Sequence, residues 1–245
     1  MPPSVATTIQ IGTAGWSIPR ATAAEFPDEG SGLERYAAQF ACAEINSSFY
    51  RPHRPQTYAR WAATTPQGFR FAVKLPKAIT HEARLVGADE RLAAFRGEAS
   101  ALGDKLGPLL VQLPPSLAFD ASVAGRFLAD LRARWPEAVA WEPRHASWFE
   151  PAVDALLAAY RVARVAADPA RHPLAAQPGG WRGLAYWRLH GSPQMYRSSY
   201  DAAFLDRLAT ELRAIPAAET WCIFDNTTSG AAAANAVALQ NLLGG

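Results

Sequence analysis

Cysteine and lysine are both scarce in this chain. Cys42 and Cys222 are the two cysteines in 245 residues. Two distant cysteines cannot form the disulfide framework of a small secreted domain, and their spacing is not that of a metal-ligand pair. Both lie beside apolar runs, so we expect buried free thiols. Of the 24 basic residues only Lys74, Lys77 and Lys105 are lysine, which we interpret as a composition bias.

Strong net charge and long apolar runs are also missing. The formal net charge is +2, so no strong field favours nucleic acid or a membrane surface as a partner. No apolar run approaches the ~20 residues of a membrane helix. The first residues, MPPSVATTIQIG, lack the basic start and apolar stretch of a signal peptide. We therefore expect a cytoplasmic protein without a membrane partner, folded around the core that 49% hydrophobic residues provide.

Short runs of strand length recur along the chain, with amphipathic helical patterns between most of them. The predicted strands are 9–11, 43–49, 69–75, 109–113, 139–142, 164–167, 185–190 and 221–225. The predicted helices are 33–40, 55–64, 121–135, 151–160, 204–212 and 237–243. Strands that alternate with helices favour parallel pairing through right-handed crossovers. Eight such strands predict an α/β fold, a single TIM-type (β/α)8 barrel.

One connection departs from this alternation. The segment 168–183, between strands six and seven, is rich in proline and glycine and predicts an irregular link in place of a helix. No linker or repeat divides the chain, so we predict one domain over residues 1–245. The alternative is a doubly wound open sheet. However, the turn after the first strand, Gly12 to Trp16, is not a dinucleotide fingerprint.

Polar side chains accumulate where the predicted strands end. Residues two apart in a strand share a face, which pairs Glu44 with Asn46, Glu142 with Arg144, and Arg188 with His190. If that face is the barrel interior, these groups converge at one mouth. Catalytic groups of parallel barrels lie at this C-terminal face. We therefore favour a ligand site over a closed ion-pair network, although a buried charge requires a partner in either case.

Several motifs resemble those of the YecE-like family, domain of unknown function 72. They are GTxGW at 12–16, EINSSFY at 44–50, FAVKLP at 71–76, LVQLPPS at 110–116, EPRHASW at 142–148, RLHG at 188–191 and FDN at 224–226. The resemblance covers residues from about 9 to 243 in order. It implies a TIM-type barrel found in bacteria and archaea, and no established activity. The chain departs from the family pattern at Asp225, where the family often has Asn, which adds a carboxylate.

The residue types suggest metal-free acid/base chemistry on a small polar ligand that carries phosphate, carboxylate or sugar hydroxyls. Glu44 and Glu142 are the candidate acid/base or nucleophilic groups, and His190 is the candidate proton relay. The candidate ligand-binding residues are Trp16, Asn46, Tyr50, Lys74, Gln112, Arg144, Arg188, Tyr196 and Asn226. Arg and Lys would hold an anion, amides would orient it, and aromatic rings would stack on it.

Three alternatives stay open on the sequence. A metal-dependent phosphoester hydrolase would use the His and carboxylate groups as ligands, but no His-x-His or His-x-x-x-His spacing supports a metal site. A non-catalytic small-ligand or nucleic-acid binding protein would need the same mouth, or an arginine patch. Lys74, if desolvated, could also form a Schiff base. No cofactor motif is present, and we assign no cofactor.

Overall fold

The computed structural model describes residues 8–244. Residues 1–7 and Gly245 lie outside the described residues. The prediction that the first residues are not a signal peptide falls mostly on this undescribed part. The strands are β1 Thr8–Thr13, β2 Cys42–Ile45, β3 Arg70–Lys74, β4 Leu106–Gln112, β5 Val139–Glu142, β6 Val162–Arg164, β7 Ala166–Asp168, β8 Gly179–Gly180, β9 Leu184–Leu189 and β10 Glu219–Phe224. The α-helices are α1 Gly32–Gln39, α2 Pro55–Thr64, α3 Asp89–Ala99, α4 Ala121–Arg134, α5 Pro151–Ala159, α6 Ala202–Ala214 and α7 Ala231–Leu243.

The strands form two sheets. One has the order β1-β10-β9-β7, and the other has the order β2-β3-β4-β5-β6-β8. Every pairing is parallel except that of β6 with β8. This is a mixed α/β fold with parallel sheets and helices. The strand pairing of the described residues gives these two sheets and does not by itself establish the closed eight-stranded barrel expected from the sequence.

Two predicted strands differ from the structure by more than a shift of their ends. The strand predicted over 43–49 ends at Ile45, because Asn46 adopts helical dihedral angles and starts a 3-10 turn over Ser47–Phe49. The Ser48 hydroxyl closes this turn by donating to the Ile45 carbonyl at 2.9 Å. The strand predicted over 164–167 is divided at Val165 into β6 and β7, which belong to different sheets.

The irregular link after β7 is present. It contains a 3-10 turn over Pro173–Ala176 and the two-residue β8, and the described chain has no α-helix there. Helix α3 was missed by sequence analysis, although Leu92, Phe95 and Ala99 are its buried residues. Its first turn carries Asp89 and Glu90. Within residues 8–244, no helix is long and apolar enough to cross a membrane. Both cysteines are buried free thiols, as expected.

Helices α4 and α6 begin at aspartate caps. Asp120 accepts a hydrogen bond from the Val123 amide at 2.9 Å, and Asp201 accepts one from the Phe204 amide at 2.8 Å.

We expect Asp201→Ala to lower the free energy of unfolding by about 1 kcal/mol, since a first-turn amide loses its partner. Urea unfolding measures this change. Asp206→Ala, at an exposed position of the same helix, is the control and should stay within about 0.5 kcal/mol. Equal effects of the two changes would contradict the capping role.

Candidate functional site

The buried charged groups of the chain gather at the C-terminal ends of the strands. Six of them form what we call the charge cluster: Glu44 in β2, Glu142 in β5, Arg144 just after β5, Arg188 in β9, His190 just after β9, and Asp225 just after β10. Parallel strands place all their carboxyl ends on one edge of a sheet, so residues far apart in sequence meet here. The structure therefore brings the three predicted catalytic residues together.

Arg188 is at the centre of the charge cluster and is fully buried. Its Nε and Nη2 donate to the two carboxylate oxygens of Glu44 at 3.0 and 2.7 Å. Its Nη1 donates to Glu142 at 2.7 Å, and Nη2 also donates to Asp225 at 3.0 Å. The guanidinium thus lies between the two glutamates that were expected to flank a ligand. Its donors are directed to protein carboxylates, and its predicted contact with a ligand stays a prediction.

Tyr186 completes the environment of Glu44. Its hydroxyl donates to Glu44 Oε2 at 3.0 Å. Burial and the Glu44 carboxylate raise the pKa of Tyr186, which keeps the phenol neutral and able to donate. Sequence analysis missed this residue. The signal was the period of two in β9, which places Tyr186, Arg188 and His190 on one face.

Glu142 pairs with two arginines. Arg144 Nε donates to Glu142 Oε1 at 2.9 Å, in addition to the bond from Arg188. Burial by itself would raise the pKa of Glu142, but the two guanidinium groups hold it well below its usual range. Glu142 is therefore an ionised carboxylate in a closed ion pair with Arg144. The Arg144 side chain is 8% exposed, so this pair lies at the outer edge of the charge cluster.

His190 connects the two sides of the charge cluster. Its Nδ1 lies 3.0 Å from Asp225 Oδ2, and its Nε2 lies 3.1 Å from both Glu142 Oε1 and Arg144 Nη2. A neutral ring would donate from Nδ1 to Asp225 and accept at Nε2 from Arg144. A protonated ring would donate from Nε2 to Glu142 instead. The imidazole therefore has a satisfied partner set in both protonation states, which suits a proton relay.

Lys74 is buried without a polar partner. Its side chain ends β3 and is 5% exposed, and its Nζ lies 4.2 Å from the centre of the Phe49 ring. No hydrogen bond or ion pair among residues 8–244 involves its ammonium group. The other two lysines are paired: Lys77 lies 3.3 Å from Glu82, and Lys105 donates to the Thr65 hydroxyl at 3.0 Å.

The ammonium of Lys74 is correspondingly easier to deprotonate than an exposed one. Burial lowers the pKa of Lys74 to about 8, and the positive charge of Arg188 acts in the same direction. The carboxylates of Glu44, Asp225 and Glu142 oppose this shift without cancelling it. The charges of the cluster therefore act on the Lys74 ammonium, although it forms no hydrogen bond or ion pair with any member of the cluster.

Three predicted amide residues lie around the same strand ends. Asn226 is buried, and its Nδ2 donates to the Ser198 carbonyl and to Asn235 Oδ1, both at 2.9 Å. The side-chain oxygens of Asn46 and Asn226 are buried and accept no hydrogen bond from the described residues. Gln112 ends β4 in register with Glu142 and is partly buried. Buried acceptors without a donor are uncommon, and both belong to residues predicted to bind a ligand.

Comparison with known proteins identifies the family. The family model described as "Protein of unknown function DUF72" matches residues 10–245. The chain belongs to the DUF72 family. This confirms the family expected from the sequence motifs.

Curated relatives of this DUF72 chain are themselves named only as family members. It is 30% identical over 138 residues to the UPF0759 protein YecE of Escherichia coli K12, covering 53% of this chain and 49% of YecE. It is 29% identical over 160 residues to the UPF0759 protein YunF of Bacillus subtilis 168, covering 58% of this chain and 53% of YunF. The matches therefore span about half the length of these curated relatives.

Solved structures of two DUF72 proteins share the fold. A DUF72 protein from Enterococcus faecalis V583 superposes with a TM-score of 0.80 at 21% identity, covering 96% of this chain and 95% of that one. A DUF72 protein from Thermotoga maritima MSB8 superposes with a TM-score of 0.79 at 24% identity, covering 96% and 98%. At this identity the likeness establishes the architecture alone.

The predicted aromatic residues of this DUF72 chain have different surroundings. Trp16 is half-buried and packs edge-on against Trp61, with ring centres 5.1 Å apart. Tyr50 is 67% exposed. Tyr196 is 39% exposed and covers His190 edge-on at 5.7 Å. Of the three, Tyr196 is the ring in direct contact with the charge cluster, and the roles of Trp16 and Tyr50 in ligand binding stay predictions.

Tyr196 is held in place by its backbone. Its φ of 65° lies in the left-handed region, which is uncommon for a residue with a side chain. Its amide donates to the His190 carbonyl, and its carbonyl accepts from the Thr228 amide at 3.1 Å. Strained backbone of this kind is found at ligand-binding sites. The segment 191–200 thus presents Tyr196 over the imidazole.

Among residues 8–244, no group of three or more His, Cys, Asp or Glu side chains is arranged to hold a metal ion. The carboxylate oxygens of Glu44 and Glu142 instead accept hydrogen bonds from Arg188 and Arg144. Positive charge at this site is provided by the protein's own cations.

Proposed function

We propose that the charge cluster and Lys74 form the site of an enzyme of hydrolase or isomerase type. It would act on a small polar ligand with an anionic group, by metal-free acid/base chemistry. Lys74 is the observation that carries this proposal, because a buried ammonium without an anionic partner is unfavourable on its own. A ligand phosphate or carboxylate at this position would accept the hydrogen bonds that the Lys74 ammonium does not make within the protein.

We also propose that both sheets belong to the wall of one TIM-type barrel over residues 1–245. Ala14, just after β1, forms a parallel bridge with Glu44 in β2, and the Gly15 amide donates to the Glu44 carbonyl at 2.8 Å. A Cβ atom at Gly12 would overlap the Cys42 carbonyl, so these two edges approach closely. On the other side, the edge strand β7 is separated in the chain by Val165 alone from β6, which lies next to the edge strand β8. These contacts support a ring with the site at its C-terminal face.

Charge balance favours proton transfer when an anion binds. With Lys74 protonated and His190 neutral, the carboxylates of Glu44, Glu142 and Asp225 are matched by the cations of Lys74 and the two arginines. A bound anion adds negative charge to this balanced set. In this proposal His190, which lies between Glu142 and Asp225, relays a proton within the cluster when the anion is bound.

The remaining residues would position the ligand. Arg144 lies at the exposed edge of the charge cluster and can bind a second oxygen of the anion. The free amide oxygens of Asn46 and Asn226 would accept hydrogen bonds from ligand hydroxyls. Tyr196 would cover the bound ligand from the 191–200 segment. Glu44 is held by Arg188 and Tyr186, so in this proposal its carboxylate acts through Arg188 to keep the guanidinium in place.

Binding of inorganic phosphate, followed by isothermal titration calorimetry at pH 7, tests the anion site. We expect Lys74→Met to weaken phosphate binding by roughly 10- to 100-fold, which corresponds to one lost charge-assisted hydrogen bond. Lys77→Met, three residues away on the surface, is the matched control and should change affinity less than about two-fold. Equal loss in both variants, or unchanged binding in Lys74→Met, would contradict the site.

The same titration separates the alternative functions. Binding that persists after chelator treatment supports a metal-free site, whereas binding that requires one Mg²⁺, Mn²⁺ or Zn²⁺ per chain favours a metal-dependent phosphoester hydrolase. Saturable binding with no product from any phosphorylated or carboxylated ligand favours a non-catalytic binding protein. Tight binding of single-stranded nucleic acid that collapses with added salt would favour the nucleic-acid alternative.

A further inference from the structure

We propose that Lys74 is a nucleophile that forms an imine with the carbonyl carbon of a small anionic aldehyde or ketone. This inference rests on the proposed anion site and names its substrate class. It goes beyond anion binding because it assigns a covalent role to the amine.

The contacts of Lys74 differ from those of a lysine whose role is to neutralise a carboxylate or to support the fold. A charge-neutralising lysine is paired with a carboxylate, as Lys77 is with Glu82 at 3.3 Å. A structural lysine donates to fixed acceptors, as Lys105 does to the Ala62 carbonyl at 2.6 Å. The Lys74 amine does neither, although three ionised carboxylates act on it. Its Nζ lies 4.2 Å from the centre of the Phe49 ring, and the residue is 5% exposed, so burial rather than a bonded partner sets its surroundings.

A nucleophilic amine must be available without its proton at neutral pH. With a pKa of about 8, about a tenth of the Lys74 amine is neutral at pH 7. The neutral fraction of an exposed lysine at this pH is below about a thousandth. Burial is the main cause of this difference, and the fixed positive charge of Arg188 adds to it. The groups that face Lys74 are one guanidinium, three carboxylates, the Phe49 ring and the imidazole of His81, whose pKa is lowered by burial and by the Lys74 charge.

The proposed step is balanced without a co-reactant. The neutral amine adds to the carbonyl carbon: the C–N bond forms, and the electrons of the C=O π bond move to oxygen, which takes up a proton. Loss of that hydroxyl as water leaves a protonated imine. Overall, one ammonium and one carbonyl compound give one iminium ion and one water molecule. The two protons that leave the nitrogen are the two that depart with the carbonyl oxygen as water.

The scarcity of lysine makes this inference directly testable. The full-length protein is incubated at pH 8 with glyoxylate and sodium cyanoborohydride, and the reduced adduct is located by peptide mass spectrometry. Lys74, Lys77 and Lys105 then compete within one chain. We expect at least ten-fold faster modification of Lys74 than of Lys77, although Lys77 is far more exposed. Glycolaldehyde, an uncharged aldehyde of similar size, should modify Lys74 much more slowly than glyoxylate does.

The outcomes distinguish this inference from the proposed function. Phosphate binding that depends on Lys74, combined with no Lys74 adduct, overturns the imine and leaves the anion site intact. Equal modification of Lys74 and Lys77 also overturns it. Equal rates with glyoxylate and glycolaldehyde, together with no phosphate binding, overturn the anion site. Lys74→Arg retains the charge but cannot form an imine. It should bind phosphate within a few-fold of the native protein and give no adduct at position 74.

Discussion

Arg188→Met is expected to lower the free energy of unfolding by about 3–5 kcal/mol, because it leaves buried carboxylates without their shared cation. Glu44 and Glu142 are both fully buried and each accepts from Arg188 at 2.7 Å. Glu44 has no other cation bonded to it among the described residues, so the loss falls mainly there. Methionine is unbranched, so it removes the charged group and retains most of the aliphatic part of the side chain.

Urea unfolding at pH 7 measures this change. The control is Arg134→Met, which removes an ion pair with Asp89 whose side chains are 29% and 57% exposed. A surface pair of this kind contributes about 0–1 kcal/mol. The double variant Arg188→Met/Glu44→Gln should recover part of the loss, since it removes the orphaned charge. A single variant as stable as the native protein at pH 7 would show that the charge cluster does not require its central arginine.

The loss in Arg188→Met should depend on pH in a defined direction. The folded-state pKa of Glu142 lies well below its ordinary value of 4.5. Its ion pairing therefore stabilises the native protein above about pH 4.5, and this contribution is lost as the pH falls through the folded-state pKa. The difference between Arg188→Met and the native protein should be largest near neutral pH and should shrink in acid.

Lys74→Met is expected to have the opposite effect on stability, an increase of about 3 kcal/mol at pH 7. Burial lowers the pKa of Lys74 from 10.5 to about 8. At about 1.36 kcal/mol for each pKa unit, the folded protein disfavours the ammonium by about this amount below pH 8. As the pH rises from 8 to 10.5 this free-energy penalty disappears, because the amine becomes neutral in the folded state. The advantage of the variant should decline over the same range.

Urea unfolding between pH 6 and 10 tests this prediction. Lys77→Met, with its ion pair at the surface, should show a difference from the native protein that is small and independent of pH over this range. A loss of stability in Lys74→Met at pH 7 would show that the three carboxylates outweigh the burial of the ammonium. A change that stabilises the protein and weakens phosphate binding is the behaviour expected of a residue retained for function at the expense of stability.

Much of the local structure followed from short-range patterns. The helix predicted over 55–64 forms over those residues, and Asp120 and Asp201 cap helices as their type and position indicate. Helix α3 was missed because its charged first turn and short length gave a weak periodicity signal. The predicted second strand was too long because the 3-10 turn at Ser47–Phe49 depends on hydrogen bonds that the Ser48 hydroxyl makes to two strands.

The sequence by itself determined the α/β class, the family and the polar character of the strand ends. Those properties depend on neighbours along the chain: alternation sets which face a side chain occupies, and strand ends are marked by turn residues. The tertiary structure decided the partners. Arg188 bonds to Glu44, 144 residues away, and the Lys74 ammonium forms no hydrogen bond or ion pair with a described residue, although its neighbours in sequence give no sign of this. A periodic pattern orients a side chain, but distances across the sheets decide which charges meet and which is left for a ligand.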